Sequence, residues 1–402
     1  MKNKINSAIT ALFLLLIFGF GIAFWVVPDE DFSPEENRAL QTFPALTTDG
    51  WLDGKVSSRM TSYYSDQFPL RKLWVSMHAL GELGLGRGES NGVLLGSNGR
   101  LAVRRFDAYV SLTERLNDTD FYDSAHIQKG LDAVAALNEA LSAQSIPLCV
   151  LIAPRAIDVT VGDFAYPSDM TDRLDTAIRQ ALAEAGVNSV ELLDTFREMH
   201  ERGEDIYYRT DHHWTTLGAY TAYTAVMKAW GMADEILPAD IFTVRSVPDF
   251  YGTTHARSGM LFLPPDTLEI WETADSRYAD SRYTVTDDGG RAVIESGFIS
   301  EKYLTGKDKY GAFLDGTHSV LFITDTEAAA RGESRPRLLL ARDSFASSMA
   351  PFLARHFDIC LVNLTGGQTN LTELCAKHDC QRVLIVCNRE NLITSDCLRN
   401  VK

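Results

Sequence analysis

An aspartate, two histidines and a tryptophan stand together at 211–214 in YYRTDHHWTTLGAY, and an Asp-Ser pair stands at 343–344 in LLLARDSFASSM. A serine hydroxyl becomes a nucleophile only when a base takes its proton, and the base needs a partner that fixes its tautomer. Ser344, His213 and Asp211 are the three residue types required. In an extended loop, residues two apart point to the same side, which pairs Asp211 with His213 and turns His212 away to shape the cleft. Two other chemistries remain open to the run. One is a metal site on Asp211, His212 and His213, which would call for a more distant ligand. The other is a polar loop before a helix, with Asp343 likewise serving only as a helix cap. Trp214 is either packing or a platform for a sugar ring.

A nucleophile must be presented by something rigid. RLLLA (337–341) is an apolar run of strand length and FASSMAPFLARHF (345–357) reads as a helix, so Ser344 falls on the turn between them. Open parallel sheets collect functional residues at the carboxyl ends of their strands. Backbone N–H groups at the helix start could hold the oxyanion of a tetrahedral intermediate there, with support from the helix dipole. The rhythm continues with strand DICLVN (358–363), helix LTELCAKHD and strand RVLIVCN, which form consecutive βαβ units.

Upstream, Ile127, Leu131, Val134, Leu137 and Leu141 repeat at helical spacing within 125–143, followed by the apolar run LCVLIAP at 148–154. A second helix over 171–185 ends at Gly186 and leads into the strand VNSVELL, and the DHHW run leads into the helical pattern TTLGAYTAYTAVMKAW. Helices alternating with buried strands predict an α/β fold, a parallel sheet flanked by helices. From about 240 to 335 the chain breaks into short β-like pieces, which predict a β-rich insertion near the site or a small β subdomain.

The first residues set the address. Lys2 and Lys4 precede 20 uncharged residues, Ala8–Val27, and Asp29, Glu30 and Asp31 follow. The run is long enough to span a bilayer and ends in Phe24, Trp25, Val26 and Val27, whereas a cleaved signal peptide has a shorter apolar region closed by a small-x-small site, so an uncleaved anchor is expected. The expected organisation is a cytoplasmic tail at 1–7, a transmembrane signal anchor at 8–27, a polar stalk at 28–53 and an extracytoplasmic domain at 54–402. The flanking lysines place the N-terminus inside. With 54 acidic against 38 basic residues and a net charge of -16, the chain has no basic face for a polyanion, so nucleic acid is not an expected partner. Six cysteines could pair in an oxidising compartment. Cys360 and Cys387 lie in apolar runs and read as core, and Cys375, His378 and Cys380 form at most a partial metal site.

DHHW at 211–214 with its following Gly-Ala helix, together with DSFASSMAPFLARHF downstream, resembles the DHHW family of bacterial exported proteins. That family is similar to the SGNH-hydrolase-like domains of periplasmic alginate acetyltransferases. FSPEENRAL, DQFPLR (66–71), NGVLLGSNGRL (91–101) and DKYGAFLDGTHSV (308–320) strengthen the likeness, which covers most of residues 30–400. The resemblance implies an SGNH-like, flavodoxin-like fold, with Asp211 as the acid, His213 as the base and Ser344 as the nucleophile. It further implies an O-acetyltransferase or acetylesterase acting on a cell-surface polysaccharide through an acetyl-serine, without cofactor or metal. A membrane-bound O-acyltransferase would then be the acetyl-donating partner. Arg342 stands where a small residue often precedes the Asp-Ser pair, and Asn363 is the candidate for the oxyanion-hole asparagine. Trp214, His212, Arg342 and Asn363 are the expected substrate-binding residues. The alternative from another class is a non-catalytic polysaccharide-binding or envelope-assembly protein that retains the fold.

Overall fold

The computed structural model describes residues 2–36, 38–103, 125–164, 170–367, 369–395, 397–399 and 401–402. The chain divides into two compact units, Met1–Gly92 with His255–Leu263, and Val93–Thr254 with Pro264–Lys402.

The first unit begins with helix α1 (Lys2–Val26) and contains helices α2 (Lys55–Asp66) and α3 (Arg71–Gly84). Over Lys4–Val26, α1 is long and apolar enough to cross a membrane, which fits an anchor or a signal sequence. Within the expected stalk, Arg38 and Gln41 bond back to α2. Arg38 forks onto the two carboxylate oxygens of Asp66 at 2.6 and 3.0 Å, and the Gln41 N–H donates to the same carboxylate at 2.9 Å. By packing, the first compact unit runs on past residue 53 to Gly92.

The second unit is built on an eight-stranded sheet. Its strands are β1 (Leu148–Ala153), β2 (Asn188–Val190), β5 (Tyr283–Asp287), β6 (Ala292–Ile294), β7 (Val320–Asp325), β8 (Arg337–Arg342), β9 (Asp358–Asn363) and β10 (Arg382–Asn388). A separate antiparallel ribbon, β3 (Thr243–Phe250) with β4 (Asp266–Glu272), accounts for the two numbers missing from that series. The order across the sheet is β6-β5-β7-β9-β8-β10-β1-β2. The five strands from β9 to β2 are parallel, as their near-continuous apolar runs predict.

Alternate residues of each parallel strand feed opposite cores. Leu338, Leu340, Leu384 and Val386 meet helices α6 (Leu193–Glu201), α7 (Thr216–Ala229) and α8 (Ala346–Ala354). Leu339, Ala341, Val383 and Ile385 meet α4 (Ala125–Ser142), α5 (Met170–Glu184) and α9 (Leu371–His378) on the other face. Both faces are thus covered, which is the condition a parallel sheet needs.

The expected β-rich insertion is only partly a separate body. β5, β6 and β7 extend the main sheet as an antiparallel edge, with β7 pairing β9. VLFITD in β7 alternates half-buried and buried positions, the mark of a strand with one wetter face. The sheet is therefore mixed rather than parallel throughout.

Candidate active site

Two segments from distant parts of the second unit build the site. β8 carries the chain to Arg342, the Asp343–Phe345 turn follows, and α8 starts at Ala346, so Ser344 sits at the carboxyl end of a central strand. The turn is clamped by Asp343. Its carboxylate accepts the Phe345 N–H at 3.0 Å, the Asn388 N–H at 2.6 Å and the Asn391 side-chain amide at 2.7 Å. The Ser344 N–H finds no acceptor among the described residues, which leaves it available to an oxyanion.

The DHHW segment is held at both ends. Tyr207 and Trp214 bridge across it, and the Tyr207 hydroxyl donates to Pro154 O, just past β1, at 2.5 Å. Thr215 then caps α7 by accepting the Gly218 N–H. Within the segment, the Asp211 Oδ1 accepts both the backbone N–H of His213 at 2.9 Å and its ring Nδ1–H at 2.5 Å. A tight turn closed by that backbone bond, rather than an extended strand, puts the two side chains together. Asp211 Oδ2 accepts the N–H and hydroxyl of Thr253, at 2.8 and 3.0 Å. With Asp211 taking the Nδ1 proton, Nε2 is left as an acceptor, and it lies 2.7 Å from Ser344 Oγ across 131 residues of sequence.

Electrostatics match that proton arrangement. Burial would raise the Asp211 carboxyl, but the charges of His213 and His212, with the hydrogen bonds from His213, hold it well below the ordinary carboxylate range. Burial, then the neighbouring His212 and Arg342, pull His213 down to about 4 against the opposing pull of Asp211. At neutral pH the pair is a carboxylate and a neutral imidazole able to take a proton.

Tyr310, in the DKYGAFLDGTHSV stretch, lies flat on the His213 ring, with centroids 3.7 Å apart and planes 8° apart. Its hydroxyl meets Ser348 Oγ at 3.0 Å and Ser344 O at 3.2 Å, so one side chain braces both the His213 ring and the Ser344 turn. Gly252 passes so close to Asp211 that a Cβ would lie 2.2 Å from the aspartate Cβ. Asp308, whose carboxyl burial and then the Asp211 charge raise to about 6, stands in the same neighbourhood. None of these three follows from local spacing; only the fold brings them to the DHHW segment.

The expected substrate-binding residues separate. His212 is 43% exposed at its side chain, with Nδ1 2.8 Å from Thr253 Oγ1, and so faces the opening. Trp214 corrects the sugar-platform expectation: it is fully buried, and its indole N–H donates to Phe345 O and Ser348 Oγ, each at 3.0 Å. With no free ring face, it fastens the DHHW segment to α8. Asn363 lies one strand from Arg342 in register, but its side-chain oxygen accepts from the N–H and hydroxyl of Thr365, so it caps its own turn. Arg342 is buried, and among the described residues only its Nη1 has a hydrogen-bond partner, the Asp343 carbonyl at 3.4 Å, while Nε and Nη2 have none. Its guanidinium, next to the Asp343 carboxyl, also bears on the His213 ring.

Donor atoms of Asp211, His212 and His213 do lie within 4.8 Å of one another, close enough to share an ion. Yet Asp211 spends both oxygens and His213 both ring nitrogens on the bonds above. An ion would have to displace those bonds.

Residues 112–258 match the family described as the SGNH hydrolase-like domain of acetyltransferase AlgX. The second unit has an SGNH-hydrolase-like fold. The DHHW stretch lies within the matched residues, and with the relatives and structures that follow, the expected resemblance is borne out. The chain is 24% identical over 223 residues to a probable alginate O-acetylase AlgJ of Azotobacter vinelandii, covering 54% of this chain and 53% of that one. It is 26% identical over 189 residues to the Pseudomonas syringae protein of the same name, covering 46% and 45%. The chain thus spans about half the length of the curated relatives it matches. Among solved structures, a DHHW family protein from Eubacterium siraeum superposes with a TM-score of 0.57 at 19% identity, covering 78% of this chain and 96% of that one. Bacillus cereus PatB1, solved with a sulfonyl adduct, gives 0.56 at 18% identity, covering 70% and 92%.

Proposed function

We propose that this protein is a membrane-anchored, extracytoplasmic O-acetyltransferase or acetylesterase that acts on a cell-surface polysaccharide through Asp211, His213 and Ser344. The observation that carries the reading is the continuous hydrogen-bonded path from Asp211 Oδ1 to His213 at 2.5 Å and on to Ser344 Oγ at 2.7 Å. His213 Nε2 takes the Ser344 proton as Oγ attacks the acetyl carbonyl of the donor. The Ser344 N–H holds the oxyanion, and the donor's leaving group departs with the proton from His213. An acetyl-serine ester remains. A sugar hydroxyl, or water, gives its proton to His213 and attacks that ester, so the acetyl group passes to the acceptor and Ser344 recovers its proton.

The relatives named as probable alginate O-acetylases support a polysaccharide acceptor. A membrane-bound O-acyltransferase is the proposed source of acetyl groups. The helix α1, uncleaved, is the proposed single-pass anchor, with the folded chain outside the cytoplasmic membrane.

The full chain in detergent micelles, treated with an activated acetyl ester, is expected to carry an adduct of about 42 Da on Ser344, absent from Ser344→Ala. A wild type that neither accumulates adduct nor hydrolyses the ester faster than Ser344→Ala would overturn the mechanism. Adding an oligosaccharide acceptor separates the two activities, since an esterase releases acetate in water alone while a transferase acetylates the acceptor. Should the purified protein hold a stoichiometric ion that His212→Ala loses, the metal reading of Asp211, His212 and His213 would replace this one.

A further inference from the structure

The first unit leaves an apolar face uncovered. Along α3, Leu73, Trp74, Met77 and Leu80 point outward and are 50%, 41%, 51% and 50% exposed. They fall on one stripe at helical spacing, while Ala79 on the opposite side is buried. A contiguous apolar stripe of this kind is uncommon on a water-facing monomer surface.

Its position relative to α1 indicates what covers it. The Phe20 ring packs on Phe68 and on Trp74, each at 5.7 Å, and Phe24 meets Tyr63 at 5.5 Å and Tyr64 at 5.4 Å. Phe20 lies six residues before the end of α1 at Val26, which at 1.5 Å per residue puts it about 9 Å below that end. Asp29, Glu30 and Asp31 follow and cannot enter hydrocarbon. Where α1 spans a bilayer, Phe68 and Trp74 are thus held at the level of Phe20, roughly 9 Å below the end of α1, within the 5–10 Å reached by interfacial helices.

The cations of α3 do not call for an anionic surface. Lys72 pairs with Glu35 at 2.6 Å, and Arg71 pairs with Glu36. Beside α1, a groove of about 770 Å³ is walled by Leu15, Leu16, Phe20, Phe68, Leu70 and Leu73, with Glu30, Asp66, Arg71 and Lys72 also in its lining, so an apolar wall adjoins charged groups as it does for a lipid chain below its headgroup.

We propose that α3 is an interfacial membrane helix: its Leu73–Leu80 stripe lies among the acyl chains of the outer leaflet, and a zwitterionic lipid chain occupies the groove beside α1. The proposal rests on the anchoring reading given above. The test uses the full chain reconstituted in phosphatidylcholine vesicles whose acyl chains carry bromine, with an environment-sensitive fluorophore on Met77→Cys, Leu80→Cys or, as reference, Leu16→Cys. All six native cysteines are buried, so labelling goes to the introduced thiol.

Expected is loss of fluorescence at 77 and 80 comparable to that at 16, with little quenching by aqueous iodide. Quenching by bromolipid at 16 but by iodide at 77 and 80 would overturn the proposal while leaving the anchor intact. Protection of 77 and 80 from both quenchers would overturn it in favour of a protein–protein face. No bromolipid quenching at 16 would instead remove the anchor, and the proposal with it.

Discussion

Gly252→Ala tests whether the placement of Asp211 is what sets the base. An alanine Cβ at 252 would lie 2.2 Å from Asp211 Cβ, 2.6 Å from Cγ and 2.3 Å from Oδ2. Ordinary carbon contacts are about 3.5–4.0 Å, so relief requires a relative shift of more than about 1 Å. Asp211 cannot yield freely, because its oxygens accept four hydrogen bonds from His213 and Thr253. A displacement of that size in a catalytic constellation costs on the order of 100-fold in rate. Overpacking of this kind costs about 1–3 kcal/mol of stability. The expected result is a folded protein with a slightly lower urea midpoint and kcat reduced roughly 100-fold or more against an activated ester. Gly162→Ala, where a Cβ meets nothing within 4 Å, serves as the control and should keep wild-type rates. Full activity in Gly252→Ala would refute the reasoning, since it would mean that Asp211 can move without consequence.

The remaining expectations follow the same geometry. Because burial, His212 and Arg342 hold His213 near 4, the neutral base persists below the ordinary imidazole value, and the acid limb of kcat/KM should fall near pH 4. Arg342→Met removes a positive charge and should move that limb upward; a wild-type limb at about 6.5 would contradict the assignment. Asp211→Asn should lower kcat by about 10⁴ with modest change in KM, because the imidazole loses the acceptor that fixes its tautomer. Trp214→Phe should cost about 1–3 kcal/mol in urea unfolding by removing the buried indole N–H that Phe345 O and Ser348 Oγ accept, which leaves them only the Tyr310 hydroxyl, while KM for a glycan acceptor stays put. A selective loss of glycan affinity would instead restore the stacking role that burial of Trp214 argues against.

Much of this architecture is written in local pattern. The RLLLA strand, the turn at Ser344 and the helix after it need only their own apolar periods, and they form where those periods place them, at Arg337–Arg342 and Ala346–Ala354. The same holds for the helical spacing of Ile127 to Leu141 and for the buried strands of the C-terminal βαβ units. Residue type and a spacing of two also put Asp211 beside His213, although the pairing is achieved by a turn and its backbone bond.

What local pattern does not carry is burial and partnership at a distance. Trp214 reads equally as a cleft wall and as core until α8 closes over it, and the edge strands β5 to β7 read as an insertion until β9 offers them a pairing partner. Tyr310 and Gly252 carry no spacing signal at all, since their neighbours His213 and Asp211 are about 97 and 41 residues away. By itself, then, the sequence determined which chemistry was available and which elements would hold it. The tertiary structure decided which side chains are braced, buried or left facing solvent, because those properties belong to contacts between segments, and packing creates those contacts only once the sheet has assembled.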